Sequence, residues 1–150
     1  MNKLRLLFLS LCFTAFLSCE KSEFSGTEIE QIDQYIAAKN LQVSESFSSG
    51  LRVAVTKENP SGTTLSKGNY VTVAYAGRLL NDKEFDSGSF SFVLGAGQVV
   101  RGFDEGVAQL KTGEQGTIIF PSALGYGSMK QGSIPKNSPL IFDIEILGVQ

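Results

Sequence analysis

The stretch FSFVLGAGQVVRG, residues 90–102, decides how this chain folds. The alternation of Phe90 and Phe92 predicts a strand, the two glycines of LGAG predict a tight turn, and a helix is expected to begin at Arg101. A strand, a G-x-G turn and a helix also form dinucleotide-binding loops, but those loops need a third glycine where this chain has Val100. The glycines are therefore interpreted as a strand-to-helix turn.

Short strand patterns fill the remainder of residues 50–150. Apolar and other residues alternate in four further segments, near residues 51–55, 70–75, 117–120 and 140–147. Asn81–Lys83 predicts a hairpin turn after the second of them. Only one helix fits this region, over about residues 101–110, whereas a dinucleotide fold needs several βαβ units. The pattern favours an α+β domain with an antiparallel sheet.

The composition excludes several kinds of chemistry from this region. The chain has no histidine, and its two cysteines, Cys12 and Cys19, lie near the N-terminus. A Ser-His-Asp triad, a Cys-His pair, a His-ligated metal site and a disulfide framework are therefore not expected beyond residue 19. After the first eighteen residues the chain has 11 basic and 15 acidic residues and no basic run, which argues against nucleic-acid binding. No cofactor and no metal are predicted.

Residues 1–18 are predicted to be a lipoprotein signal peptide. A basic start precedes an apolar run of about twelve residues, and a membrane-spanning helix needs about 20; a short uncleaved anchor is the alternative. The ending FLSC resembles a bacterial lipobox, with Phe16 where leucine is usual. The resemblance implies that Cys19 is lipidated and anchors the protein in the bacterial cell envelope. The predicted location is the outer membrane, at its periplasmic or surface face.

Residues 19–49 are predicted to hold the lipidated cysteine, a polar tether and a short helix, ahead of a domain at 50–150. Thr27 and Glu30 fit a capping box. The apolar residues that follow recur at helical spacing, which predicts a helix over about residues 28–39. So short a helix is unstable alone, so we expect it to dock on the following domain or on a partner.

Four motifs, in this order along the domain, resemble those of one family. They are VAYAGRLLNDKEFDSG (73–88), FSFVLGAGQVVRGFDEGVAQLKTGE (90–114), ALGYG (123–127) and SPLIFDIEIL (138–147). On these motifs the chain is identified as a member of the FKBP-type peptidyl-prolyl cis–trans isomerases. The resemblance implies a curved antiparallel β-sheet wrapped around one short α-helix, with the N-terminal helix before it.

The resemblance also implies an aromatic pocket between sheet and helix. Its substrate-binding residues would be Tyr75, Phe85, Phe90, Phe92, Val99, Phe103, Ile134 and Phe142. Three further residues would be catalytic: Asp86 facing the twisting amide, with the Tyr126 hydroxyl and the Val100 amide holding ligand carbonyls. The sequence departs from the family in having Phe103 where tryptophan is common. It also lacks the basic residue that some members place after Asp86.

These residues suit rotation about a prolyl bond. The barrier of about 18–20 kcal/mol comes from amide resonance, and the twisted amide is less dipolar than the planar one, so an apolar pocket favours rotation. The predicted function is therefore isomerisation of Xaa-Pro bonds in proteins folding in the envelope. Proline-containing polypeptides are the expected partners, and the resemblance implies macrolide inhibitors. The alternatives are a non-catalytic, chaperone-like polypeptide-binding domain and a scaffold lipoprotein that docks or dimerises through its helix.

Overall fold

The structure, a computed structural model, describes residues 23–150, so the predicted signal peptide and Cys19 lie outside the described residues. Its elements in chain order are α1 (Glu28–Ala38), β1 (Glu45–Ser46), β2 (Arg52–Lys57), β3 (Tyr70–Arg78), β4 (Glu84–Val93), α2 (Arg101–Val107), β5 (Gln115–Phe120), a 3₁₀ turn (Ser122–Leu124) and β6 (Leu140–Val149). Within this part of the chain, neither helix has the length and apolar character needed to cross a membrane.

The six strands form one antiparallel sheet in the order β1-β2-β5-β6-β3-β4. The last strand of the chain, β6, lies in the middle of the sheet, between β5 and β3. The sheet curves around α2, so the predicted fold class, an α+β protein with an antiparallel sheet wrapped around one short helix, is confirmed. The curvature creates a concave face covered by α2 and an outer face on the other side.

Two glycines allow α2 to lie directly on the concave face. A Cβ atom at Gly102 would stand 2.3 Å from the Phe120 ring, and one at Gly106 would stand 2.8 Å from Ile118. The helix was expected to reach residue 110 but ends at Val107. Residues 109 and 110 continue as tighter turns, whose amides bond to carbonyls three residues back, a common way to finish a helix.

The N-terminal helix α1 covers part of the outer face. Ile32 and Tyr35, both buried, pack on Ile119 and Ile141, the outward-facing residues of β5 and β6. The predicted capping box is present, because Thr27 and Glu30 exchange hydrogen bonds between side chain and backbone. The helix was expected to dock on the following domain or on a partner, and in the structure it docks on the sheet of its own chain.

The hairpin between β3 and β4 sets the position of the segment that carries Asp86. The predicted turn is present: the Leu79 amide donates to the Lys83 carbonyl at 3.0 Å, and Asp82 has a φ of 62°. Residues 87–89, which lie between Asp86 and the strand predicted from Phe90 and Phe92, are paired with β3 inside β4. The strand thus starts at Glu84, six residues earlier than Phe90 suggested.

Candidate functional site

A cavity of about 450 Å³ opens between the concave face of the sheet and the N-terminus of α2. Its lining consists of Tyr75, Phe85, Asp86, Phe90, Gln98, Val99, Val100, Phe103, Tyr126 and Phe142. Nine of these ten residues are among the eleven that the sequence assigned to the site. Side chains from three strands, one helix and two loops converge here although they are far apart in the chain.

The aromatic side chains form a continuous wall around Phe103. The Phe103 ring is buried, and its centroid lies 5.0 Å from that of Phe142, with the two planes at 87°. Tyr75 meets Phe90 edge-on at 5.4 Å, and Phe85 meets Phe142 edge-on at 5.5 Å. Edge-to-face pairs of this kind are stabilising and fix ring orientation. The site is therefore a firm apolar hollow of a size suited to a proline ring.

Two of the predicted substrate-binding residues do not line this cavity. Phe92 is 2% exposed, and its ring stacks on that of Phe90 with the centroids 5.5 Å apart. It therefore packs against a cavity-lining ring without lining the cavity itself. Ile134 is also buried and lines an adjoining hollow of about 200 Å³, which Asp86 and Tyr126 border as well. The structure thus places Ile134 beside the main cavity, in an extension that a longer ligand would reach.

Asp86 has a partner in the site that the sequence did not predict. The Tyr75 hydroxyl donates a hydrogen bond of 2.7 Å to an oxygen of the Asp86 carboxylate. This bond, together with burial, raises the pKa of Tyr75 to about 12, so the phenol keeps its proton above pH 10, where an ordinary tyrosine loses it. Tyr75 therefore orients the carboxylate at the rim of the cavity.

Val100 presents a backbone donor at the start of α2. Its φ of −60° and ψ of 146° are extended, and it is the residue that caps the helix. Its carbonyl accepts from the Phe103 and Asp104 amides, whereas its own amide has no acceptor within residues 23–150. The amides of the first helical turn have no partner inside a helix. The Val100 amide is therefore available to a ligand carbonyl.

The turn before Val100 confirms the interpretation of the glycines in LGAG. Gly95 and Gly97 have φ values of 75° and 70°, a region that glycine occupies without strain. The Gly95 amide donates to the Asp104 carboxylate at 2.8 Å. The Gln98 side chain accepts from the Val93 amide at 2.8 Å and lines the cavity. Gln98 was not predicted from the sequence, because nothing marks a single polar residue in a turn as facing inward.

Tyr126 lies in a turn between two glycines. The amides of Gly125 and Gly127 both donate to the Ser122 carbonyl at 2.8 Å, which sets the Tyr126 side chain at the border of the cavity and of its extension. Its hydroxyl makes no hydrogen bond to the described part of the chain. With the Val100 amide, it is a second polar group that a ligand can engage.

The site contains few groups for acid, base or metal chemistry. Among residues 23–150, no three or more His, Cys, Asp or Glu side chains lie close enough together to hold a metal ion. The cavity instead combines an apolar wall with one carboxylate, one hydroxyl and one backbone amide. This arrangement suits binding and orientation of a polypeptide more than bond cleavage.

Comparisons with known proteins identify the family. The sequence pattern of the family described as FKBP-type peptidyl-prolyl cis-trans isomerase matches residues 61–147. The chain is 40% identical to FK506-binding protein 1 of Dictyostelium discoideum over 104 residues, which cover 65% of this chain and 96% of that protein. It is also 40% identical to the peptidyl-prolyl cis-trans isomerase Fkbp12 of Drosophila melanogaster over 107 residues, covering 67% and 99% of the two chains.

A solved structure agrees with these sequence matches. The crystal structure of FkpA from Escherichia coli superposes with a TM-score of 0.70 at 30% identity and covers 83% of this chain. The present chain spans 59% of the FkpA chain. The chain therefore belongs to the FKBP-type peptidyl-prolyl cis–trans isomerases, and its function is that of a peptidyl-prolyl isomerase.

Proposed function

We propose that the chain isomerises Xaa-Pro bonds in the aromatic cavity by preferential binding of the twisted amide. The observation that carries this proposal is the convergence of six aromatic rings around one hollow, namely Tyr75, Phe85, Phe90, Phe103, Tyr126 and Phe142. Planar amides carry charge separation that water stabilises, and the twisted amide has lost much of it. An apolar wall therefore raises the free energy of the ground state relative to the transition state, which is catalysis by differential binding.

The polar groups at the rim have distinct roles in this proposal. The Val100 amide and the Tyr126 hydroxyl donate to carbonyls of the bound polypeptide, which fixes the chain on either side of the proline. The Asp86 carboxylate, held by Tyr75 at 2.7 Å, faces the carbonyl carbon of the rotating amide. Their contribution is to orient the bound polypeptide so that its prolyl amide lies against the apolar wall.

An isomerisation assay on the full chain tests these roles. We expect Tyr126→Phe and Asp86→Ala each to lower kcat/KM for a Xaa-Pro peptide about tenfold, because one hydrogen bond contributes about 0.5–1.5 kcal/mol and about 1.4 kcal/mol is tenfold in rate. Tyr70→Phe is the matched control, because Tyr70 is 47% exposed and does not line the cavity. Full activity in both site variants would contradict the assignment. Peptide binding without any acceleration by the wild-type chain would favour the chaperone-like alternative.

The same cavity is proposed to bind macrolides. Relatives of this chain carry the name FK506-binding protein, and the apolar wall and the Val100 amide offer the apolar surface and donor that such a ligand uses. FK506 should therefore inhibit the isomerase competitively with the peptide. Undiminished activity at saturating FK506, with wild-type peptide affinity, would contradict this part of the proposal.

We further propose that the isomerase acts in the bacterial envelope, held by a lipid on Cys19. The support is the sequence FLSC at residues 16–19 after a basic and apolar leader, followed by polar residues of the kind found in tethers. Clients are then polypeptides that fold outside the cytoplasm. Several acyl chains on one residue give firm anchoring, since each buried CH₂ contributes about 0.8 kcal/mol.

Expression of the full chain in a bacterium tests the anchor. Membrane fractionation and mass spectrometry of the N-terminal peptide should show a lipidated Cys19. Cys19→Ala should move the protein out of the membrane fraction or leave its leader uncleaved, whereas Cys12→Ala should behave as wild type. A wild-type protein that starts elsewhere than at residue 19, without lipid, would contradict the proposal.

A further inference from the structure

The first turn of α1 is bonded to the turn that carries Tyr126. One oxygen of the Glu28 carboxylate accepts from the Ser122 amide at 2.6 Å, and the other accepts from the Ser122 hydroxyl at 2.7 Å. The two residues are 94 positions apart in the chain. Hydrogen bonds to a carboxylate are about twice as strong as those between neutral groups. A single side chain of the N-terminal helix therefore holds Ser122 at two points.

Ser122 in turn holds the backbone on both sides of Tyr126. Its carbonyl accepts from the Gly125 and Gly127 amides, each at 2.8 Å. Glu28 thus holds the amide and hydroxyl of Ser122, while the carbonyl of the same residue holds the turn of Tyr126. A displacement of Ser122 would carry these two glycine amides, and the tyrosine between them, with it.

The Glu28 carboxylate is the acceptor for two donors of a buried residue. Ser122 is 6% exposed, so removing the carboxylate would leave a buried amide and hydroxyl without an acceptor. A buried donor without an acceptor costs about 1–3 kcal/mol of stability. We expect the turn that carries Tyr126 to shift toward solvent in the variant, because the Ser122 donors can then bind water. The shift would change where the Tyr126 hydroxyl stands relative to the cavity.

We propose that Glu28 is a positioning residue of the isomerase site, which holds the Tyr126 hydroxyl in place through Ser122. This inference rests on the proposed role of Tyr126 in holding a ligand carbonyl. The N-terminal helix then has a second task besides covering apolar surface. It completes the site from outside the segment, residues 61–147, that matches the family.

A matched pair of variants in the same helical turn tests the proposal. Glu30 also accepts two hydrogen bonds on its carboxylate, from the Thr27 amide at 2.7 Å and the Thr27 hydroxyl at 2.9 Å. These bonds stay within the cap of α1, so Glu30→Ala loosens the helix without touching Ser122. Glu28→Ala should lower kcat/KM of the full chain about three- to tenfold, an effect of misplacement, and Glu30→Ala should leave it within twofold of wild type.

A double-mutant cycle separates positioning from simple support. If Glu28 acts through Tyr126, Glu28→Ala should cause little further loss in a Tyr126→Phe background, since the hydroxyl that it positions is already gone. Glu28→Gln keeps one carbonyl oxygen and should restore part of the activity. Should Glu28→Ala fail to fold, Glu28→Gln replaces it in the cycle.

The outcomes are distinct. Equal losses in Glu28→Ala and Glu30→Ala, or losses that add fully to that of Tyr126→Phe, would show a merely structural helix and overturn the proposal. Full activity in Glu28→Ala with reduced activity in Tyr126→Phe would overturn it while leaving the role of Tyr126 intact. Full activity in Tyr126→Phe would remove the role of Tyr126 and this proposal together.

Discussion

Gly77 shows how one residue without a side chain shapes the cavity. It lies in β3, and a Cβ atom built there would stand 2.6 Å from the Phe85 ring and 2.8 Å from the Phe142 ring. Both rings line the site, and they meet each other edge-on at 5.5 Å. The rings of Phe85 and Phe142 therefore pack directly against the backbone of Gly77.

Gly77→Ala should consequently damage both stability and activity. Displacing two packed rings costs about 1–3 kcal/mol of unfolding free energy, and kcat/KM should fall because the wall moves. Urea denaturation and the isomerisation assay measure the two effects. Gly148→Ala is the control, since a Cβ atom at Gly148, in β6, has nothing within 4 Å. Equal stability and activity in the two variants would contradict the role of Gly77.

Two tyrosines with raised pKa values make the free energy of unfolding depend on pH in the alkaline range. Tyr75 has its pKa raised from 10.0 to about 12 by its hydrogen bond to Asp86 and by burial. The pKa of Tyr35 is raised to about 12 by burial first and by its hydrogen bond to Asp82 second. In the unfolded chain both phenols return to their ordinary pKa. The folded state therefore holds these protons more tightly than the unfolded state does.

The sign of the pH effect follows from linkage. Below pH 10 both states are protonated and the stabilisation is complete; between pH 10 and about 12 only the unfolded state loses the protons, so the free energy of unfolding falls. Urea denaturation at several pH values should show this decline, and it should be shallower in Tyr75→Phe. An identical pH dependence in wild type and variant would contradict the assignment.

At the scale of elements, α1 is fastened to the sheet by an apolar stripe and by polar contacts at both of its ends. Near its C-terminus the Tyr35 hydroxyl donates to Asp82 at 2.8 Å, and Arg78 donates to the same carboxylate at 2.9 Å. Lys39 also pairs with Asp82. Burial raises the pKa of Asp82, but the hydrogen bonds from Lys39 and Tyr35 outweigh it and lower the pKa overall. The helix thus also holds the β3–β4 hairpin.

The apolar contact is expected to dominate the stability that α1 contributes. Ile32 is fully buried against the outer face of the sheet, so Ile32→Ala should lower the free energy of unfolding by about 2–5 kcal/mol. Ile29→Ala is the control, because Ile29 is 39% exposed in the same helix and should change stability by less than about 1 kcal/mol. Urea denaturation distinguishes the two variants. Similar small losses in both would mean that α1 is not part of the cooperative unit.

At the scale of the whole molecule, the strand order makes β6 the most protected element. It pairs with β5 on one side and β3 on the other. Its inward residues lie in the core beneath α2, and Ile141 on its outer face lies under α1. By contrast, β1 has two residues and pairs with β2 alone. β6 is therefore paired along both edges and covered on both faces.

Hydrogen exchange should reflect this architecture. Amides in the middle of β6 should exchange only through global unfolding, and those of β1 through local opening at much lower free energy. Amide exchange followed by NMR at increasing urea concentration measures both. Equal protection in β1 and β6 would contradict this order of local stability.

Much of the fold was predictable because it depends on residues close together in the chain. The capping box of Thr27 and Glu30, the 81–83 turn and the left-handed glycines of LGAG are set by neighbours a few positions away. Strand alternation and the family motifs then predicted the antiparallel sheet and nine of the ten cavity-lining residues. The structure bears out the fold and the family, while the catalytic roles and the lipid on Cys19 stay predictions.

The remaining features depend on pairs of residues that only the folded chain brings together. The Tyr75–Asp86 bond follows from the pairing of β3 with β4, and the early start of β4 follows from the same pairing. The curvature of the sheet places Phe92 against Phe90 and not in the lining of the cavity. The hydrogen bond between Glu28 and Ser122 joins residues that are 94 positions apart. By itself the sequence determined which elements form and which chemistry they carry, because periodicity and caps are local. The tertiary structure decided which polar groups meet, because register and curvature act across the whole chain.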